Sequence, residues 1–201
     1  MLGLSDDTLG PIAFDPTGVF LLGGPPGSGR TTALEGLIGS LRRALPKAEY
    51  YYFGPSRSSI GALDGWTSAA RTPDDIVDLA KELSATVKEG KSKSKIVVVV
   101  EQVADYLSSP ADAPLTDLFK ALKRSEHFLL AESETSSWSS SWPLLAEVRS
   151  ARTGVLLQPE SIEGEMLMKT TLPRVGRGEF PPGRGFYITR GKAVRVQLPL
   201  Q

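Results

Sequence analysis

Residues 19–45 read VFLLGGPPGSGRTTALEGLIGSLRRAL, and this stretch decides the fold. Positions 19–22 are a short apolar run and positions 23–29 are glycine, proline and serine. Leu34, Leu37, Ile38, Leu41 and Leu45 then recur at helical spacing until Pro46 closes the segment. Strand, glycine loop and helix follow in order. Gly24, Pro25, Pro26, Gly27, Ser28, Gly29, Arg30 and Thr31 fit G-x-x-x-x-G-[KR]-[ST], the phosphate-binding loop, with arginine where lysine normally stands. The spacing has a physical cause. Glycines let the backbone N–H groups curl into an anion-binding nest, the helix directs its N-terminal dipole at the phosphates, and the Thr31 hydroxyl suits Mg²⁺. These eight residues and Thr32 are the candidate nucleotide contacts. Arg30 keeps the positive charge but replaces a compact ammonium with a wide planar fork, which favours binding over efficient transfer chemistry.

Working outward, residues 48–53 read as a tyrosine-rich strand broken by Gly54 and Pro55. Thr72, Pro73 and Asp75 form a helix start ahead of Ile76, Leu79, Ala80, Leu83 and Val87. Residues 88–95 are a polar, basic turn, and residues 96–100 are five consecutive β-branched residues, the pattern of a strand buried on both faces. A helix is expected over 115–122, a strand over 128–131, a long exposed serine-rich loop over 132–142 and a helix over 143–148. Residues 154–157 are a fifth strand candidate. A terminal hairpin pairs 186–189 with 193–197 around Arg190, Gly191 and Lys192. No internal repeat is visible. Strands alternating with helices imply a single α/β domain over 1–201 with a largely parallel sheet.

The apolar strand 96–100 ends in Glu101, the acid expected to share Mg²⁺ with Thr31. A second acid beside it would polarise the attacking water, but Gln102 stands there, leaving the base position vacant. An amide orients a water without accepting its proton. Glu101 must therefore serve as metal ligand or as base, unless it only marks where a buried strand meets solvent. Asp105 is the nearest substitute acid. Glu132, at the end of strand 128–131, lies where such folds place a residue that senses the terminal phosphate, and a carboxylate there repels it.

Composition narrows the chemistry further. The 201 residues include no Cys and one His, which removes disulfides, thiolate metal sites, cysteine nucleophiles and histidine-rich zinc sites. No apolar run reaches the roughly 18 residues of a membrane span, and the first residues lack the pattern of a signal peptide, so the chain reads as soluble and cytosolic. Basic and acidic residues number 23 each. From position 169 to the end, however, seven basic residues face one acid, Glu179. That asymmetry marks either a contact face or a solvated hairpin balancing an acidic body.

The opening LGLSDDTLGPIAF, the loop GPPGSGRTTAL and the ending GVLLQPESIEGEMLMKTTLPRVGRGEFPPGRGFYI with VRVQLPL resemble the FtsK/SpoIIIE family of RecA-like ATPases. The likeness spans nearly the whole chain and is nearest to the last module of long chains with several modules in tandem, including type VII secretion ATPases. It implies a RecA-like three-layer α/β/α P-loop NTPase fold with a C-terminal β-hairpin. It also implies ATP and Mg²⁺ as ligands, a hexameric ring or a linear array of modules, and a role in moving DNA or protein. Active modules of the family have lysine at position 30 and paired acids at 101 and 102; both departures fall on catalytic positions. Terminal modules of type VII secretion ATPases commonly depart this way, bind nucleotide tightly and receive the signal peptide of the substrate.

The resemblance therefore implies a nucleotide-binding, hydrolysis-impaired module excised from a longer chain, with a regulatory or substrate-engaging role in protein secretion. Its partners would be other ATPase modules and a protein substrate or its signal segment, with membrane contact only through regions outside this chain. An active DNA translocase module and a non-enzymatic interaction scaffold are the alternatives. Arg184, in the family's PPGRG, either contacts nucleotide, its own or a neighbour's, or braces a turn. Trp138 and Trp142 either anchor a partner or fold onto the core. His127 is expected to be structural, and Tyr50, Tyr51 and Tyr52 to alternate between core and rim.

Overall fold

The β-branched run at 96–100 is buried on both faces, as the interior strand of a parallel sheet requires. The computed structural model describes residues 1–175 and 177–199. Their strands are β1 (Gly3–Ser5), β2 (Pro11–Ile12), β3 (Gly18–Gly24), β4 (Glu49–Phe53), β5 (Ser68–Ala70), β6 (Ile96–Val100), β7 (Phe128–Glu134), β8 (Gly154–Leu157), β9 (Arg184–Thr189) and β10 (Lys192–Gln197). The helices are α1 (Arg30–Ala44), α2 (Pro73–Lys88), α3 (Asp112–Lys123), α4 (Thr135–Trp138), α5 (Pro143–Arg149) and α6 (Ser161–Met168). One sheet runs β2-β1-β10-β9-β8-β3-β7-β6-β4-β5. From β8 to β5 all neighbours are parallel, and from β8 outward to β2 all are antiparallel.

Side-chain alternation along the strands builds two cores. Val97 and Val99 of β6 pack with Phe20 and Leu22 of β3 against Leu34, Leu37, Ile38 and Leu41 of α1. Ile96, Val98 and Val100 face the opposite way, with Leu21, onto α2, α3 and α5. Each fully buried leucine of α1 contributes about 1.5–3 kcal/mol of hydrophobic stabilisation. This is the expected three-layer α/β/α arrangement with a mostly parallel sheet. The terminal hairpin is present too: Thr189 pairs with Lys192, and Arg190 and Gly191 between them both take positive φ, the two-residue turn whose twist matches the strands.

The expected exposed loop at 132–142 is not there. β7 continues three residues beyond 131 to Glu134, because its ladder to β3 continues through Gly24↔Glu134. Residues 135–138 then turn helically and drive Trp138 into the core at 0% exposure, with its Nε1 donating to the carbonyls of Leu22 and Ser133. The rest of the segment is partly open, with Ser136, Ser139 and Ser141 exposed and Trp142 at 45% exposure. The strands β1, β2 and β5 and the helix α6 were not expected. The three strands hold two or three residues each, and α6 has apolar and polar residues on all sides.

Candidate phosphate-binding site

β3, β7 and β6 are neighbours and parallel, so their C-terminal ends meet at one edge of the sheet, where the glycine loop begins. Gly27 and Gly29 hold φ of +79° and +87°, a left-handed backbone that side chains disfavour. Gly29 caps α1, and no side chain bonds to the helix start, so the first-turn amides are left to an anion. A Cβ on Gly24 would collide with the Ser28 hydroxyl. That hydroxyl is buried without a hydrogen-bond partner. The loop thus has the features a phosphate requires: backbone freedom, a helix N-terminus and an unsatisfied polar atom.

Arg30, the first residue of α1, reaches across to β7. Its Nη1 donates to Glu132 Oε1 at 2.5 Å, and its Nη2 lies 3.4 Å from Glu134 Oε1. Glu132 is 4% exposed, and its other oxygen accepts from the Gln102 amide at 3.0 Å. Burial raises the Glu132 carboxyl above its usual range; the Gln102 bond and the Arg30 charge pull it back only in part, while Glu101 adds to the rise. One buried carboxylate therefore ties the loop cation to the end of β6. Gln102 takes a left-handed backbone, φ +52°, with its side chain in solvent.

Glu101 is buried at the end of β6, and its Oε2 accepts from the Tyr52 hydroxyl at 2.6 Å and the Ser58 hydroxyl at 2.5 Å. Burial and the bond to Glu101 push the Tyr52 hydroxyl well above its ordinary pKa, so it stays a donor. Oε1 is left for other ligands. The Thr31 hydroxyl, on the exposed first turn, and the Glu101 carboxylate are not bonded to each other. A hydroxyl and one carboxylate oxygen, completed by water and phosphate oxygens, is a donor set that suits Mg²⁺. Replacing Tyr52 with Phe should cost about 1–2 kcal/mol in urea denaturation, the size of a hydrogen bond to a charged group that Ser58 partly replaces.

The PPGRG segment sits directly on the loop. The Gly183 amide donates to the Ser28 carbonyl at 2.8 Å, and a Cβ on Gly29 would press on Gly183 N at 3.1 Å. The side chain of Arg184 is directed elsewhere, to Asp6 at 3.4 Å, and Arg195 reaches the same carboxylate at 3.3 Å. Arg184 is therefore placed as a brace between β9 and the N-terminal segment. Two cations of the basic C-terminal stretch thus share one carboxylate within the chain. Pro25, Pro26 and Thr32 lie on the loop and the first turn as expected.

His127 accepts from the Ile96 amide through Nδ1 at 3.1 Å, and burial and Lys95 lower its pKa, so the imidazole is a neutral structural acceptor. Tyr50 and Tyr52 enter one core and Tyr51 the other face, also as expected. Asp105 is exposed on a turn after β6 and feels the charge of Glu134. Sequence reasoning missed Glu134, Tyr52, Ser58 and Asp6 as partners. The E-x-E spacing of 132 and 134, which sets both carboxylates on one strand face, was the available signal for Glu134. Among the described residues, no helix is long and apolar enough to cross a membrane.

No family model and no curated protein matches this sequence. Solved structures do match. EccC of Thermomonospora curvata (ATPases 2 and 3, in complex with a signal sequence peptide) superposes with TM-score 0.78 at 18% identity, covering 100% of this chain and 40% of that one. EssC of Geobacillus thermodenitrificans (ATPases 2 and 3) gives 0.74 at 18%, covering 99% and 40%. The conjugation coupling protein TcpA of pCW3, solved with ATPγS, gives 0.64 at 14%, covering 91% and 60%. This chain thus spans less than two thirds of the length of each of them. Over its whole length it has the P-loop fold of the ATPase domains of the type VII secretion ATPase EccC and of EssC.

Proposed function

We propose that this chain is a nucleotide-binding, hydrolysis-impaired module of an FtsK/SpoIIIE-type translocase of the protein-secretion branch, serving a regulatory or substrate-engaging role on the cytoplasmic side. The observation that carries the reading is the tether just described: Glu132 holds both the loop cation Arg30 and the main-chain N–H of Gln102. Gly24, Pro25, Pro26, Gly27, Ser28 and Gly29 cradle the phosphates, Thr32 supports them from the first turn, and Arg30 neutralises them. Thr31 and Glu101 hold Mg²⁺, which when bound neutralises phosphate charge. Gln102, an amide turned to solvent, offers no base. The Gly183 amide holds the PPGRG segment against the loop, and Arg184 beside it braces β9 to the N-terminal segment through Asp6.

Partners follow from the kinship in fold. EccC was solved with a signal sequence peptide, which supports a protein substrate or its signal segment as ligand here, with neighbouring ATPase modules beside it. DNA is the less favoured cargo, since Arg184 and Arg195 share the Asp6 carboxylate, which offsets one of their two charges. Titration with a fluorescent ATP analogue in Mg²⁺, followed by phosphate release with and without duplex DNA, tests the reading. Saturable binding is expected, with turnover far below a typical enzyme's roughly 10 per second. DNA-stimulated turnover at that level would favour an active motor. An absence of binding would favour a scaffold.

A further inference from the structure

We propose that Glu132 and Glu134 make this site select a nucleoside diphosphate over the corresponding triphosphate. The inference rests on the reading that the loop holds a nucleotide and adds which one it prefers. Both terminal nitrogens of the Arg30 fork are engaged, Nη1 by Glu132 and Nη2 by Glu134. In a phosphate-binding loop the residue at this position reaches the β- and γ-phosphates. Here that charge is already met by two carboxylates of the same chain. Glu132 cannot swing away, because it is buried and its second oxygen is bonded to the Gln102 amide. The ladder Leu22↔Glu132 and Gly24↔Glu134 sets both acids beside the strand that feeds the loop.

The loop's other donors are independent of that clasp. The first-turn amides of α1 are uncapped, and the buried Ser28 hydroxyl has no partner. A diphosphate satisfies these groups and feels the nearby positive charge of Arg30 without taking the fork from its carboxylates. A third phosphate must either strip Arg30 from a buried carboxylate, leaving that charge unpaired, or bring its own charge against two like charges; both are costly in a site of low dielectric.

The test is calorimetric titration of the full chain with ADP and with ATP, in EDTA at fixed ionic strength, so that metal-dependent turnover is silent. ADP is expected to bind about tenfold more tightly than ATP, equivalent to the usual free-energy step per decade of affinity. Glu132→Gln is expected to tighten ATP and shrink that ratio to about threefold or less. Glu134→Gln is expected to shift the ratio the same way by a smaller step; its partly exposed side chain makes this variant safe for folding. ATP binding as tightly as ADP in the unaltered chain overturns the inference and leaves the nucleotide reading standing. So does a ratio unmoved in Glu134→Gln together with one unmoved in Glu132→Gln, or in Glu134→Gln alone should the other variant not fold. Failure of both nucleotides to bind overturns the reading and the inference together.

Discussion

Replacing Arg30 with alanine is expected to weaken nucleotide binding about 10- to 100-fold, the range of charge-assisted hydrogen bonds worth roughly 1.5–3 kcal/mol. Two causes add. The phosphates lose the cation at the mouth of the loop, and Glu132 is left as an unpaired carboxylate beside them. The second cause also acts on the unliganded protein, because removing one member of a buried pair is destabilising. Glu132 already has a raised pKa, so it responds in part by taking up a proton, which limits the loss to about 2–3 kcal/mol. Equilibrium titration and urea denaturation separate the two effects. Arg30→Lys keeps the charge and is expected to retain most of both quantities, although an ammonium cannot span Glu132 and Glu134 as the fork does. Unchanged nucleotide binding in Arg30→Ala would favour an interaction scaffold over a nucleotide-holding module.

Replacing Trp138 with alanine is expected to cost about 3–5 kcal/mol, the usual price of truncating a fully buried large aromatic side chain. Its ring fills the space under the ends of β3 and β7. A Cβ on Gly23 would lie 3.2 Å from it, and its Nε1 bonds the carbonyls of Leu22 and Ser133. The loss should reach the site as well, because those strand ends carry the loop and Glu132. Trp142→Ala is the contrast. That residue is half exposed, and its replacement should change stability by about 0.5 kcal/mol or less. Denaturant midpoints of the two variants measured side by side check both values. Equal effects would mean that the serine-rich segment is packed differently.

The glycine loop, α1, α2, β6 and the terminal hairpin were legible because each is specified by neighbours in sequence. Turn residues and apolar periodicity lie within a dozen positions of one another there. β7 was cut short at 131 because charged residues normally end a buried strand. Here Glu132 stays inside the strand because Arg30, 102 positions away, offsets its charge, and nothing local announces that partner. The 132–142 segment read as a loop from its serines, but burial of one tryptophan outweighs the weak helical preference of the residues around it. The basic C-terminus carried a similar blind spot. Asp6, at the other end of the chain, meets Arg184 and Arg195 only because β1 pairs with β10.

The site's composition was legible, while its wiring was not. Arg30, Glu101, Gln102 and Glu132 could all be named from motif spacing. That Glu132 holds Arg30 and the Gln102 amide together, and that Glu101 is held by Tyr52 and Ser58, depends on which strands are neighbours. The sheet order sets β7 between β3 and β6, and that order turns a suspected repulsive acid into a structural link between the loop and the acid-bearing strand.

The most direct test is the fate of bound ATP. The full chain is incubated with saturating ATP and Mg²⁺, the complex is separated from free nucleotide, and the nucleotide released on denaturation is identified by chromatography over time. Recovery of near-stoichiometric ATP, intact long after a typical enzyme with turnover of roughly 10 per second would have consumed it, is the expected result. Rapid conversion to ADP and phosphate would contradict a module that holds nucleotide without spending it.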